Sequence, residues 1–166
     1  MTFQVNDRVV HSAHGVGQIV GLVTRRFPEL EARQYYEVAI ERSTVWVPVD
    51  GDIARELRLL TPKAELARYR AVLQGRPTPL TPDHRQRRLD LNNRLKVGSL
   101  QELCEVVRDL TARGWKKPLN EMDAAGLRRA REGLCREWAA AAEVSVAIAA
   151  QEIDALLLEC KRIYRV

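Results

Sequence analysis

The residues that could act as catalysts or metal ligands are few and lie far apart. The three histidines, His11, His14 and His84, fall on separate predicted elements, and none has a carboxylate at ligand spacing. The sequence contains no HExxH, CxxC, GxSxG or P-loop pattern. Its glycine-rich stretch at positions 15–21 has the wrong spacing for a dinucleotide fingerprint and leads into a predicted strand. We therefore expect no enzyme activity, no metal site and no cofactor.

The cysteines and the hydropathy pattern predict a cytosolic protein. Cys104, Cys135 and Cys160 are odd in number, widely spaced and each placed inside a helical pattern, which is typical of buried thiols in a reducing compartment. No apolar run approaches the length of a membrane span, and no charged-then-apolar leader is seen. We expect a soluble monomer without membrane contact.

Positive charge is unevenly distributed along the chain. The net charge of +5 separates into −1 for residues 1–62 and +6 for residues 63–166. Three arginines, Arg85, Arg87 and Arg88, lie within four residues at the start of a predicted helix. Helix N-terminal amides together with arginines favour contact with phosphate groups. The second part of the chain is therefore the candidate for nucleic-acid binding.

The first sixty residues have the pattern of a small all-β domain. Two β-branched runs, at 8–11 and 16–22, surround a Gly-containing break and predict a hairpin, with a bulge or bend at Gly21. Residues 34–41 alternate, 44–49 form a partner strand that ends at or near Pro48, and 57–60 form a short closing strand. Five short strands predict a barrel that closes on itself.

From Thr61 onward the spacing of apolar residues changes from every second residue to a repeat of about 3.6 residues, which is typical of an α-helix. Thr61-Pro62 and Thr81-Pro82 have the form of helix starts, and a Pro-rich extended connector separates them at 76–82. Further helices are predicted from Ser99, which opens a capping box, from Met122 and from Ser145. The sequence thus predicts an α+β protein, with a β domain at 1–60 and an all-α bundle at 61–166.

Two sets of residues, one in each part of the chain, form a recognisable pattern. In the helical part these are the VVRDL run at 106–110 and the spacing of residues 127–137. In the β part they are Phe3, Val5, Asp7, Val9, Val10, His14, Gly15, Val16, Gly17 and Ile19. Together they resemble the CarD/CdnL family of bacterial transcription regulators, whose first module also occurs in the transcription-repair coupling factor. One departure is His11-Ser12, where the family usually has Tyr-Pro.

The resemblance implies a Tudor-like β domain that docks on the β subunit of RNA polymerase through a sheet edge and neighbouring arginines. Arg25 falls on a family contact arginine, and Trp46 falls on a second contact position. Alternation along the strand leaves Trp46 either in the core or outside as an interface anchor. Arg26 and Arg42 would add charge at the rim, or are simply solvated.

The resemblance also implies that the helical domain meets promoter DNA at the upstream edge of the melted region. His84 falls where the family has a tryptophan that wedges into the minor groove, and imidazole is a weaker wedge. Arg87 falls on a family arginine, beside Arg85 and Arg88. Trp115, with Lys116 and Lys117 in a predicted loop, either takes over the aromatic contact or pins Leu119 to the bundle.

These expectations describe a regulator that stabilises the open promoter complex without any enzymatic step. Two rival hypotheses stay open from the sequence. One is a polymerase-binding adaptor with weak or no DNA wedging, and the other is a nonspecific DNA-binding protein that does not contact polymerase. Strongly salt-dependent DNA binding would argue against the adaptor.

Overall fold

A computed structural model of the chain describes residues 2–51 and 56–165. The chain divides into two compact units, Met1–Leu60 and Thr61–Val166. We call them the β unit and the helical unit and describe each by itself. No helix in the described ranges is long and apolar enough to cross a bilayer.

The β unit is a five-stranded antiparallel sheet with the strand order β4-β3-β2-β1-β5. Among the described residues no ladder joins β4 to β5, so these are its two edge strands. The edge position of β4 explains why a proline is tolerated at its end. The strands are β1 Arg8–His11, β2 Gly15–Arg25, β3 Arg33–Ile40, β4 Ser43–Pro48 and β5 Leu57–Leu59.

One face of this sheet forms the core of the β unit. Tyr36, Val38 and Ile40 alternate along β3 and are buried, as their spacing predicts. Val9, Ile19 and other apolar side chains pack against them. The register of β2 against β3 shifts between Ile19 and Gly21, which confirms the predicted bulge. β2 runs three residues beyond the predicted Leu22, so Arg25 lies at the end of a strand and not in a loop.

The β1–β2 turn depends on one glycine and one histidine. Gly15 has a φ of 82° and supplies the left-handed residue of the turn. His11 caps the turn, because its Nδ1 accepts from the backbone N–H groups of Ala13 and His14. Gly17 is needed for close packing, because a Cβ there would lie 2.8 Å from the carbonyl oxygen of Ala39.

The helical unit begins with a 3-10 turn at Lys63–Glu65. Thr61 was expected to cap this start, but its hydroxyl is buried and donates to Glu137. The α-helices are α1 Leu66–Gln74, α2 His84–Val97, α3 Leu100–Lys116, α4 Glu121–Ala142 and α5 Val146–Tyr164.

Side-chain caps define the starts of four of these helices. Ser99 caps α3 and Ser145 caps α5, as the sequence predicts, whereas Asp83 caps α2 in place of Thr81. Asn120 caps α4. Gly98 ends α2 with a φ of 70°.

The core of the helical unit lies between α1, α3, α4 and α5. Trp138 is fully buried there. All three cysteines are free and buried, as expected for thiols inside helical patterns.

Candidate nucleic-acid and protein interfaces

The first turn of α2 carries the predicted phosphate-binding residues, but two of its amides are already occupied. The Asp83 carboxylate accepts from the backbone N–H groups of Arg85 and Gln86, at 2.9 and 3.2 Å. A carboxylate in this place repels a phosphate. These two amides therefore favour the cap over a phosphate, and the side chains are the better candidates for a phosphate contact here.

Arg87 lies inside the helical unit and not on its surface. Its guanidinium is 1% exposed and pairs with Asp123 of α4 across 2.8 Å. It also donates to the carbonyl oxygens of Thr81 and Pro82, at 2.9 and 3.1 Å. With its donors used in this way, Arg87 has no exposed group to offer to DNA. The predicted DNA contact of Arg87 is corrected to a structural role, which is to fix the start of α2 against the connector and α4.

His84 is exposed at the first position of α2, and one side of its ring is held. Arg87 Nη2 lies 2.8 Å from His84 Nδ1, and Asn120 Nδ2 lies 3.2 Å from the same atom. Both neighbours are donors, so Nδ1 accepts and the proton of the neutral ring is on Nε2. His84 therefore presents an N–H donor outward in an orientation set by Arg87 and Asn120.

Arg85 and Arg88 remain as the free cations of this helix start. Both are exposed. No carboxylate within the described ranges lies at ion-pair distance from either one. Together with the His84 ring they form what we call the α2 surface.

Trp115 and Lys116 belong to the last turn of α3 and not to a loop, while Lys117 caps the helix. Trp115 is half-buried against the helical core, and the Nζ of Lys161 lies 5.4 Å from the centre of its ring. A ring packed in this way is a poor wedge, which favours the structural alternative for Trp115. Lys116 and Lys117 are exposed.

In the β unit, Arg25 and Trp46 lie together on the face of the sheet opposite the core. The Arg25 guanidinium lies 4.2 Å from the centre of the Trp46 ring, within cation–π range. Trp46 pairs with Glu37 on β3 and is partly exposed, whereas its neighbour Val47 is buried on the core side. Trp46 is thus outside the main core, and its Nε1 has no partner in the described part of the chain. We call this the Arg25–Trp46 surface.

Other residues extend this surface. Phe27, 36% exposed, contacts the ring of Tyr35 edge-on. Arg26 and Arg42 are exposed, and neither approaches the Arg25–Trp46 pair through a bond or ring contact within the described ranges. Phe27 and Tyr35 were not among the predicted site residues, although an aromatic residue beside Pro28 in a polar segment was the available signal.

Both units match domains of a known protein family. Residues 3–58 match the model of the CarD-like/TRCF RID domain, and residues 69–154 match that of the CarD C-terminal domain. The chain belongs to the CarD/CdnL family. It is also 31% identical over 138 residues to the Bacillus subtilis (strain 168) protein described as "Putative transcription factor YdeB", covering 81% of this chain and 89% of that protein.

In this CarD/CdnL protein, the residues that position His84 were not among the predicted site residues. Asn120 and Asp123 stand three residues apart at the start of α4, which is the spacing of a helix cap and its third helical residue. That spacing was a readable signal for a helix start. Its contact with α2 could be seen only in the tertiary structure. No group of three or more potential metal ligands is found in the described ranges.

Proposed function

We propose that this protein binds the β subunit of RNA polymerase through the β unit and promoter DNA through the helical unit, and thereby stabilises the open complex. The observation that carries the proposal is the match of both units to the two domains of one family of transcription regulators. No enzymatic step is part of it.

The Arg25–Trp46 surface supports the polymerase contact. An aromatic ring covered by a guanidinium combines a large apolar area with a directed positive charge, and such residues dominate binding at protein interfaces. β4 carries Trp46, and no strand of the described residues pairs with its outer edge, so the backbone groups of that edge lie beside the same surface. Arg26 and Arg42 are exposed and would add rim charge, which affects the association rate more than the affinity.

The α2 surface supports the DNA contact at the upstream edge of the melted region. Arg85 and Arg88 would contact backbone phosphates, with Lys116 and Lys117 contributing from the end of α3. His84 is too small and too polar to fill an unstacked base step as a tryptophan would. Its Nε2–H would instead donate to an acceptor on the DNA.

One observation favours the adaptor without DNA wedging as a second candidate. The expected wedge position is a histidine held by Arg87 and Asn120, and Trp115 is half-buried, so neither is an apolar side chain free to insert. The adaptor predicts polymerase binding without salt-dependent DNA affinity. A nonspecific DNA-binding protein predicts DNA affinity without a polymerase complex.

The deciding experiment is the lifetime of a promoter open complex on the cognate polymerase, with and without the protein. Native protein, His84→Trp, Arg25→Glu and the control Arg128→Glu, an exposed α4 residue remote from the proposed contacts in sequence, are compared. We expect a longer lifetime with native and control protein, loss of the effect in Arg25→Glu, and a larger effect in His84→Trp.

The rival hypotheses give different patterns. No effect of the native protein, together with retained polymerase binding and a gain in His84→Trp, would support the adaptor. If neither form binds polymerase or changes the lifetime, the proposed function is wrong although the family is not.

A further inference from the structure

A second basic region lies in the helical unit, away from the first turn of α2. A cleft with a volume of about 360 Å³ opens between residues 76–80, the end of α3 and the end of α5. Four cationic side chains line it, those of Arg76, Arg113, Lys116 and Arg165. We call this the α3–α5 cleft.

The positive charge of the α3–α5 cleft is not neutralised from within the described part of the chain. None of the ion pairs found there involves any of the four cations. Like charges gathered in one concave site repel each other, and an anion bound between them relieves that repulsion. A polyanion is therefore the ligand that suits this cleft.

One carboxylate, that of Asp109, also lines the cleft, but its charge is already compensated. It is 2% exposed and accepts from Arg108 Nε and from the backbone N–H of Thr78, each at 2.9 Å. Arg94 lies 4.0 Å away on the other side. Asp109 therefore holds the connector in place as one wall of the cleft. Because its negative charge is already compensated, it does not neutralise the four cations at the mouth of the cleft.

The side chain of Arg76 makes a contact of its own within the helical unit. Its guanidinium lies 5.0 Å from the centre of the Tyr164 ring at the end of α5. This contact joins the connector to α5 across the cleft. Holding a long side chain in place lowers the entropy cost of using it for binding.

The connector also links the α3–α5 cleft to the α2 surface. It runs from Arg76, at the cleft, to Pro82, whose carbonyl oxygen accepts from Arg87. Six residue steps span at most about 20 Å, which corresponds to roughly six base steps along one DNA strand. The two places are therefore close enough for a single duplex to span the distance between them.

We propose that the α3–α5 cleft is a second DNA-backbone site, in which Arg76, Arg113 and Arg165 bind phosphates of the same duplex that the α2 surface contacts. This inference rests on the proposed function, since it assumes that the helical unit binds promoter DNA. It adds residues that the resemblance to the family did not indicate. The ligand chemistry is that of phosphate groups, and we assign their source to duplex DNA and not to a free nucleotide.

The test measures binding of a fluorescent promoter duplex to the full chain over a series of KCl concentrations. The cleft variant is Arg76→Gln/Arg165→Gln, and both residues are exposed, so the fold should persist. The matched control is Arg128→Gln/Arg136→Gln, which removes the same charge from exposed positions of α4 that do not line the cleft. We expect the slope of log affinity against log salt to fall by about two in the cleft variant and to stay unchanged in the control.

A third variant, Arg85→Gln/Arg88→Gln, separates the cleft from the α2 surface. If it lowers the slope while the cleft variant behaves like the control, the cleft proposal is overturned and the proposed function stands. If the native protein shows no salt-dependent DNA binding, both fail together. Micromolar binding of ATP or tripolyphosphate that is lost in the cleft variant, with an unchanged DNA slope, would assign the cleft to a free phosphate ligand and also overturn the proposal.

Discussion

Arg87 of α2 and Asp123 of α4 form a buried ion pair that joins the first turns of two helices. The guanidinium lies 2.8 Å from the carboxylate, and the two side chains are 1% and 8% exposed. The same guanidinium donates to two carbonyl oxygens at the end of the connector. Because the guanidinium is buried, water does not compete for these hydrogen bonds. This buried side chain, together with Asn120, also holds the ring of His84.

Replacing Arg87 by methionine should destabilise the helical unit strongly. Removal of one partner leaves the Asp123 carboxylate buried without compensation, which costs about 3–5 kcal/mol in comparable pairs. Urea unfolding followed by circular dichroism measures the loss. The control Arg85→Met lies two residues away on the surface and should change stability by no more than about 0.5 kcal/mol. Equal stabilities of the two variants would contradict the structural role of Arg87.

Two glycine-to-alanine substitutions should have opposite effects on stability. In Gly17→Ala the new Cβ would lie 2.8 Å from the Ala39 carbonyl oxygen and 2.9 Å from Ile40 Cγ1. The backbone oxygen cannot move freely, so we expect a loss of about 1–3 kcal/mol. In Gly126→Ala, within α4, a Cβ meets no atom within 4 Å, and the helix should gain about 0.5–1 kcal/mol. Thermal unfolding of both variants tests the pair, and a stabilised Gly17→Ala would show that the sheet is less tightly packed than described.

The β unit should lose stability in mild acid because of His11. Burial lowers the pKa of His11 from its ordinary value of 6.5, and the neighbouring His14 lowers the pKa further. A lowered folded-state pKa means that the unfolded chain binds the proton more readily. Stability is then complete above pH 6.5 and declines as the pH falls below it. Protonation of Nδ1 also removes the acceptor for the Ala13 and His14 amides.

Urea unfolding of native protein and His11→Asn at pH about 7.5 and about 5.5 measures this effect. Asparagine keeps a side-chain acceptor but does not titrate, so the variant should lose less stability on acidification. Parallel losses in both proteins would show that other groups cause the acid sensitivity.

The thiol of Cys104 should be unreactive in the folded protein. Burial, with Glu137 adding to the effect, raises the pKa of Cys104 to about 12, and burial also raises the pKa of Cys135 and Cys160. Because thiolate is the reactive form, labelling with Ellman's reagent at pH about 8 should be very slow and should reach all three cysteines only after unfolding in guanidinium. Rapid labelling of Cys104 without denaturant would contradict its burial.

The same shift predicts how stability changes in alkali. A raised thiol pKa means that the folded state keeps a proton which the unfolded state releases, so the stability contribution is complete below pH 9 and falls as the pH rises toward 12. The stability difference between native protein and Cys104→Ala should therefore decrease above pH 9, which unfolding curves at several alkaline pH values would measure.

The sequence by itself determined the fold class, most element positions and the family. Periodicity of two in residues 34–41 and of about 3.6 after Thr61 reflects which side chains must leave water, and that information is local. Ser99, Ser145 and Gly98 marked helix ends for the same reason, since a cap acts on its own turn.

Only the tertiary structure decided which of the predicted site residues are on the surface. The three arginines at 85, 87 and 88 look equivalent in the sequence. Arg87 differs because it pairs across the bundle with the carboxylate of Asp123, which lies 36 residues later in the chain, and is buried there. Thr61 similarly bonds to Glu137 and not to the helix start that it was expected to cap. The α3–α5 cleft combines residues from 76 to 165, and no local pattern shows that they meet. Burial and charge pairing between distant segments depend on packing, and packing is a property of the folded chain as a whole.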